Sequence, residues 1–219
     1  MSTRLMVAGF TLLLGAGPAP APAVPRQAPP GTGPDSVAVA SLLAGLRGSD
    51  PLVCAMATDL LGSGMHWSNG GEDIATLRDA VVAQPAVRER FRSPISDERA
   101  VRLLVPELGG PNACLRRTAA ALLGESSAPA ARTALREALR SGEPRTREAA
   151  TYGLGVAGDS ADAPRVRSLL GDADAGVVRL AAWAVGSMED HASAQALVGL
   201  LKHRDAGVRR AAAWALGRL

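Results

Sequence analysis

Apolar positions in the second half of the chain recur at two spacings. Over short stretches they follow a helical period, as in Leu197, Leu200 and Leu201, and again in a run that begins at Val208. Over longer distances the whole pattern repeats every 31 residues and is anchored by a glycine. The anchors are Gly124, Gly155, Gly186 and Gly217. Each unit predicts two helices joined by a turn, and the units must stack because one pair cannot bury its own apolar faces.

Polar residues mark the ends of each predicted second helix. A turn-forming residue before the helix predicts an N-cap, and the anchor glycine predicts the C-terminus of the helix. The N-cap column reads Asp50, Asn112, Glu143, Asp174 and Asp205. The pattern predicts an all-α protein, an α-solenoid of about five to six stacked antiparallel helix pairs over residues 35–219. Residues 63–93 form an irregular unit, which the loop-like stretch HWSNGGED interrupts.

Two phrases of the sequence carry a family resemblance. DAGVRRAAAWALG and DAGVVRLAAWAVG resemble short HEAT repeats of the phycobilisome-lyase type in their period, turn aspartate, Val-Arg pair and glycine ending. The resemblance implies a solenoid whose second helices line a concave face. It also implies a ladder of acid–arginine pairs between adjacent turns, for which Asp205 with Arg209 and Glu143 with Arg147 have the right spacing. Such repeats mostly imply binding and scaffolding.

The N-terminal region has the character of an export signal. Arg4 precedes an apolar run, Leu5 to Gly17, which has the length of a signal peptide's apolar region and is too short to span a bilayer. The small residues that follow supply a cleavage site, so residues 1–23 are predicted to be a signal peptide and 24–34 a Pro/Ala-rich linker. A disordered Ala/Pro tail is the alternative. The prediction places the protein in the periplasm of a bacterium or outside the cell.

Composition favours closely packed helices. Apolar residues make up 47% of the chain but aromatic residues only 3%, so most core positions hold small side chains. The formal net charge of +3 is a weaker basic bias than that of many nucleic-acid-binding proteins.

The two cysteines are predicted to stay apart. Cys54 and Cys114 lie two units apart, which at ~8–10 Å per stacked pair separates their backbones by roughly 20 Å. A disulfide requires Cα atoms within about 7 Å, so the sequence predicts no bond between them.

A file of aromatic residues is the candidate binding surface. Three residues before each anchor stand Ala121, Tyr152, Trp183 and Trp214, and four residues before those stand Arg117, Glu148, Arg179 and Arg210. On a helical wheel Trp214 lies roughly 120° from the centre of the core face. The residues predicted to line the concave face and bind a protein or peptide are Tyr152, Arg179, Trp183, Arg210 and Trp214. The alternative is that each tryptophan packs across the seam to the next unit, with an arginine stacked on it.

The last unit shows no polar capping helix after its apolar residues Leu216 and Leu219. Solenoids usually need such a cap for solubility. Two interpretations follow: the open end docks a partner or a second copy of the chain, or the reading frame is truncated.

Residues with catalytic potential form no recognised pattern. His66, His191 and His203 stand in no HExxH or Cys-His arrangement, and the repeated His-Glu pairs of HEAT-like di-iron hydroxylases are missing. The sequence predicts a non-enzymatic exported scaffold without metal or cofactor, whose partner is an unknown protein or peptide rather than a nucleic acid. Two alternatives stay open. One is an accessory subunit for cofactor attachment resembling bilin lyase subunits, and the other is a nucleic-acid-binding solenoid resembling HEAT-like alkylpurine glycosylases.

Overall fold

The computed structural model describes residues 35–49, 91 and 93–219. The predicted signal peptide, the linker and nearly all of the irregular unit lie outside these residues. All regular structure in the described part is helical, which confirms the all-α fold. Its α-helices are α1 (Ser36–Arg47), α2 (Glu98–Leu104), α3 (Ala113–Glu125), α4 (Pro129–Ala138), α5 (Pro144–Ala157), α6 (Ala163–Arg167), α7 (Ala175–Ser187), α8 (Ala194–Leu200) and α9 (Ala206–Leu216). Short 3₁₀ segments adjoin several of them, at Val105–Gly109, Ser160–Asp162, Ser168–Gly171 and His191–Ser193.

The helices form successive pairs that stack as a solenoid. In each pair, α2/α3, α4/α5, α6/α7 and α8/α9, the first helix packs on the second. The second helices α3, α5, α7 and α9 pack side by side in chain order. We call the surface of this row the second-helix face. The core beneath it is built from buried small and branched apolar residues, among them Leu115, Ala119, Leu123, Ala150, Leu154, Val177, Ala181, Val185, Val208, Ala212 and Ala215.

The predicted N-caps are confirmed at three of the second helices. Asn112 Oδ1 accepts a hydrogen bond from the backbone N–H of Cys114 at 2.8 Å, and Asp174 and Asp205 cap α7 and α9 in the same way. These carboxylate and amide oxygens satisfy backbone donors that have no partner inside the helix. Glu143 makes no such bond, and α5 begins instead with Pro144, whose ring fixes the backbone for the first helical turn.

Asp205 with Arg209 and Glu143 with Arg147, the residues whose spacing suggested a ladder between adjacent turns, do not pair with each other. Arg209 instead donates Nη1 to the carbonyl oxygens of His203 and Arg204, at 2.8 and 2.9 Å. Arg147 donates in the same way to the two carbonyls five and six residues before it. This arginine column therefore closes the turn between the two helices of one pair, because it supplies hydrogen-bond donors to carbonyl oxygens of that turn.

A ladder of ion pairs does bridge adjacent pairs, but its partners come from distant sequence positions. Arg147 binds both carboxylate oxygens of Asp172 at 2.8 Å, and Arg167 binds Asp190 through Nε at 2.8 Å. The two arginines hold the pKa of Asp172 and of Asp190 below the ordinary value. Further rungs join Arg132 to Asp159 and Arg136 to the buried Asp162.

The anchor glycines are sites of close helix approach. Gly124, Gly155 and Gly186 lie inside α3, α5 and α7, near their C-terminal ends, and only Gly217 follows its helix as predicted. A Cβ atom on Gly186 would lie 2.8 Å from the Cα atom of Ala215 in α9. A Cβ atom on Gly155 would collide with the ring of Trp183 in α7. The 31-residue glycine column thus sets the distance between neighbouring second helices.

The prediction of no disulfide is wrong. Cys114 is disulfide-bonded, and Cys54, which lies outside the described residues, is the other cysteine of the sequence. The prediction assumed two full stacking steps between their units. Instead α1 packs directly on α2 and α3, and Arg47 of α1 reaches Glu107, 60 positions along the chain, at 3.0 Å. Spatial neighbours at this end of the repeat domain are therefore not sequence neighbours.

Candidate functional site

The N-terminal halves of α3, α5 and α7 enclose a groove on the second-helix face. Its volume is about 340 Å³, a size that accommodates a few side chains of a ligand. We call it the α3–α5–α7 groove. Its lining residues are Ala113, Arg116, Arg117, Arg145, Glu148, Ala149, Tyr152, Arg179 and Leu180. A second cavity of about 430 Å³ is lined partly by Phe91, Ser93 and Pro94.

Four arginines reach the groove from three helices. Part of the donor capacity of Arg116 is already used, since its Nη1 group donates to the carbonyl oxygens of Gly110 and Pro111 at 2.7 and 2.8 Å. Arg145 and Arg179 are exposed, and neither forms an ion pair with an acidic residue of the described part. Their guanidinium groups carry five N–H donors each, so the groove presents many donors toward solvent.

Tyr152 forms the aromatic part of the groove. Its ring centroid lies 5.4 Å from that of Trp183, with the planes inclined by 30°. The guanidinium carbon of Arg117 lies 5.8 Å from the centroid of the Tyr152 ring, within the range of a cation–π contact. Stacked arginine and aromatic groups hold each other in place, so this wall of the groove is organised without a ligand.

Glu148 is the single acidic residue of the groove. It occupies the column that holds Arg117, Arg179 and Arg210 in the other second helices. Its carboxylate lies against the backbone of Gly176 at the start of α7. Burial raises the pKa of Glu148 above its ordinary value and the nearby Asp174 raises it further, while the positive charges of Arg179 and Arg116 act in the opposite direction.

The structure divides the five predicted site residues into three groups. Tyr152 and Arg179 line the groove. Trp183 is buried, only 6% exposed, with its ring against Gly155, and does not line the groove. Arg210 and Trp214 are exposed on α9 and do not line the groove. Trp183 packs across a seam between units, as in the alternative interpretation, but the seam is with the preceding unit and the stacked arginine, Arg117, lies over Tyr152.

The groove also contains residues that the sequence prediction omitted. Arg117 and Glu148 stand in the same column as Arg179, so the repeat register carried a signal for them. Arg116 and Arg145 stand in other columns, and only the packing of three helices brings them to the same groove. Among the described residues no group of three His, Cys, Asp or Glu side chains is placed to hold a metal ion. No helix in that part of the chain is both long enough and apolar enough to cross a membrane.

Comparison with family models identifies the repeats. The model of HEAT repeats matches residues 101–186, and the model of the armadillo/beta-catenin-like repeat matches residues 195–219. These matches cover all four of the described helix pairs in whole or in part. They do not distinguish the phycobilisome-lyase type of repeat, which stays a prediction. A search of curated proteins finds no match.

Solved structures include helical proteins of similar extent. Human deoxyhypusine hydroxylase in complex with glycerol is 20% identical, with a TM-score of 0.46 and a match that covers 84% of this chain and 74% of that chain. An engineered protein is also 20% identical, with a TM-score of 0.39 and coverages of 82% and 78%. Neither likeness bears on activity. On its repeats and its helix pairs, the chain is a HEAT-repeat protein.

Proposed function

We propose that this protein binds a segment of another protein on its second-helix face, at the α3–α5–α7 groove. The observation that carries the proposal is the position of the exposed Arg145 and Arg179 side chains around the half-buried ring of Tyr152. Arginine and tyrosine are the residue types that most often dominate binding energy at protein interfaces. The proposal involves binding and no reaction.

Rigid helix spacing supports the proposal. Because the glycines of the second helices meet backbone or ring atoms of the next helix, α3, α5 and α7 cannot separate or slide without losing buried contacts. A preformed groove loses less conformational entropy when a ligand binds, and more of the contact energy then appears as affinity.

We further propose that the protein is exported, with residues 1–23 as the signal. The disulfide at Cys114 supports this location, because disulfides persist in oxidising compartments and are rare in the cytosol. A fusion of residues 1–34 to a reporter enzyme that is active only outside the cytoplasm tests the export proposal. Export predicts reporter activity, and a reporter that stays inactive contradicts it.

Selection from a displayed random-peptide library on the immobilised full chain tests the binding proposal. Enriched peptides are then measured against an Arg117→Gln/Arg179→Gln variant and a Tyr152→Ala variant. The matched control is Arg102→Gln/Arg165→Gln, which removes two arginines from the first helices α2 and α6. Loss of binding by at least about tenfold in the groove variants and not in the control supports the proposal. Equal binding by all variants contradicts it, provided that circular dichroism shows each variant to be helical.

Self-association is a second candidate, favoured by the surface of the last helix pair. Val198, Leu201 and Trp214 are 49%, 39% and 38% exposed. One repeat earlier, where the helix α9 packs along α7, Leu170 and Trp183 are only 7% and 6% exposed. We propose that a second copy covers the same columns on α8 and α9. Sedimentation equilibrium of the chain and of Val198→Glu/Leu201→Glu tests this, and a monomer at all concentrations contradicts it.

A further inference from the structure

We propose that the segment bound in the α3–α5–α7 groove is acidic, and that Glu148 sets how tightly the groove holds it. This inference rests on the proposed function and specifies the chemistry of the partner. Four arginines and one glutamate line the groove, so four positive charges against one negative charge leave a local excess of three. Guanidinium groups pair with carboxylates through two parallel N–H···O bonds, which gives both strength and orientation.

The groove suits an acidic peptide better than a nucleic acid. Binding to nucleic acids rests on many arginine and lysine contacts to phosphates spread along a backbone, whereas the whole chain carries 24 basic and 21 acidic residues. Stacking of bases needs accessible aromatic faces. The ring of Tyr152 is already in contact with Arg117 and Trp183. A peptide of alternating acidic and small residues can instead place its carboxylates on Arg145 and Arg179.

Glu148 occupies a place where a carboxylate of the ligand would be attracted. Its side chain is faced by Arg116 from α3, and by Asp174 and Arg179 from α7. On its own helix the charged lining residue is Arg145. While Glu148 is ionised, it repels an incoming carboxylate and partly neutralises Arg179 and Arg116. Replacing it by glutamine removes the negative charge and keeps nearly the same shape, so the groove should bind an acidic ligand more tightly.

The same side chain should make binding depend on pH. Because burial and Asp174 raise the pKa of Glu148, its carboxylate is neutralised at a higher pH than an exposed glutamate, whose pKa is about 4.3. As the pH falls from 7, the groove therefore becomes more positive before the peptide loses its charge. Affinity should rise to a maximum and then fall below pH ~4 as the carboxylates of the peptide take up protons. The affinity of the Glu148→Gln variant should not rise as the pH decreases from 7, and should only fall below pH ~4.

Fluorescence anisotropy with three labelled probes tests the inference on the full chain. The probes are an eight-residue peptide of alternating Glu and Ala, the matching Gln–Ala peptide, and a single-stranded oligonucleotide of eight thymidines. We expect the Glu–Ala peptide to bind at least about tenfold more tightly than the Gln–Ala peptide. The Arg117→Gln/Arg179→Gln variant should lose about tenfold, the Arg102→Gln/Arg165→Gln control less than about threefold, and Glu148→Gln should gain at pH 7.

The outcomes separate this inference from the proposed function. Equal binding of the Glu–Ala and Gln–Ala peptides overturns the acidic partner and leaves groove binding intact. The acidic partner is also overturned, and groove binding left intact, if the library selection yields only peptides without acidic residues and these bind more weakly to Tyr152→Ala. Tighter binding of the oligonucleotide, lost in Arg117→Gln/Arg179→Gln, overturns both claims in favour of a nucleic-acid site. The role of Glu148 is overturned if the affinity of the unmodified chain for the Glu–Ala peptide does not rise between pH 7 and 5, or if Glu148→Gln binds this peptide no more tightly than the unmodified chain at pH 7.

Discussion

At the scale of single residues, the spacing of the second helices depends on glycines that leave room for a neighbour. The ring of Trp183 packs against Gly155. The backbone of Ala215 and the ring of Trp214 pack against Gly186. The backbone angles of these glycines are helical, so it is the missing Cβ atom that matters at these positions. Gly158 differs, since it ends α5 with a φ of 64° in the left-handed region that favours glycine.

Alanine at Gly155 should destabilise the fold, whereas alanine at Gly217 should not. The added methyl group at Gly155 collides with Trp183 and lies 2.9 Å from the Cβ atom of Ala184, so Gly155→Ala should lower the free energy of unfolding by about 1–3 kcal/mol. At Gly217 the nearest atoms are carbonyl oxygens of its own helix, at 3.4 and 3.8 Å. Gly217→Ala should therefore be neutral or stabilise by up to about 1 kcal/mol. Urea unfolding measures both, and equal effects would contradict close approach as the reason for the glycine column.

Local residue chemistry was predictable from the sequence, and long-range pairing was not. The caps Asn112, Asp174 and Asp205 act on backbone groups two or three residues away, so their position in the pattern was sufficient. Arg147 has an acid four residues before it but pairs with Asp172, 25 positions along the chain. That choice depends on how two helix pairs stack, and spacing within one helix does not contain this information.

At the scale of helices, the same sequence column has different surroundings in successive repeats. Trp183 and Trp214 are equivalent by register, and each ring packs on the glycine of the preceding second helix. Trp183 also contacts the ring of Tyr152 and is 6% exposed, whereas Trp214 is 38% exposed. A tryptophan side chain is long enough to reach the neighbouring helix, which explains why a position about 120° from the core face can still be buried.

Removal of the two tryptophans should therefore differ in cost. Trp183→Ala leaves a cavity between α5 and α7 and also removes the contact with Tyr152, so it should cost about 3–5 kcal/mol of the free energy of unfolding. Trp214→Ala should cost about 1–2 kcal/mol, because much of its ring already faces solvent. Urea unfolding of both variants measures the difference. A cost for Trp214→Ala as large as that for Trp183→Ala would mean that the last helix pair is covered in solution.

The α3–α5–α7 groove shows how far a helix-by-helix prediction extends. The column of Arg117, Glu148 and Arg179 is visible in the repeat, and so is the aromatic position of Tyr152. The groove, however, needs side chains from three helices at once, and two of its four arginines, Arg116 and Arg145, belong to other columns. Tyr152 and Arg179 lie on the second-helix face, and their role in binding a partner stays a prediction. Spacing along one helix does not determine that Trp183 is buried and Trp214 exposed.

At the scale of the whole molecule, order along the chain and order in space differ at one end. α1 is the direct neighbour of α2 and α3, and the backbone N–H of Ser36 donates to Asp97, 61 positions later, at 3.2 Å. The register of the repeat predicted a complete pair between them. The 31-residue register therefore predicted where helices occur in the sequence, but it did not predict that α1 packs on α2 and α3.

The disulfide provides a test of this arrangement in solution. The purified, unreduced chain should show no reactive thiol in denaturant, since Cys114 is bonded and the sequence holds one other cysteine. Cys54→Ser should expose one thiol and lower the free energy of unfolding by roughly 2–5 kcal/mol. Thiol titration and urea unfolding make the two measurements. Two reactive thiols in the unreduced protein would contradict the arrangement.

The central claim is that a ligand binds on the second-helix face, and hydrogen–deuterium exchange of the full chain with a saturating selected peptide tests it most directly. We expect slower exchange in α3, α5 and the first half of α7, the elements that line the groove. Exchange in the first helices α4 and α6 should not change. Protection confined to α4 and α6, or to the last pair α8 and α9, would contradict the claim.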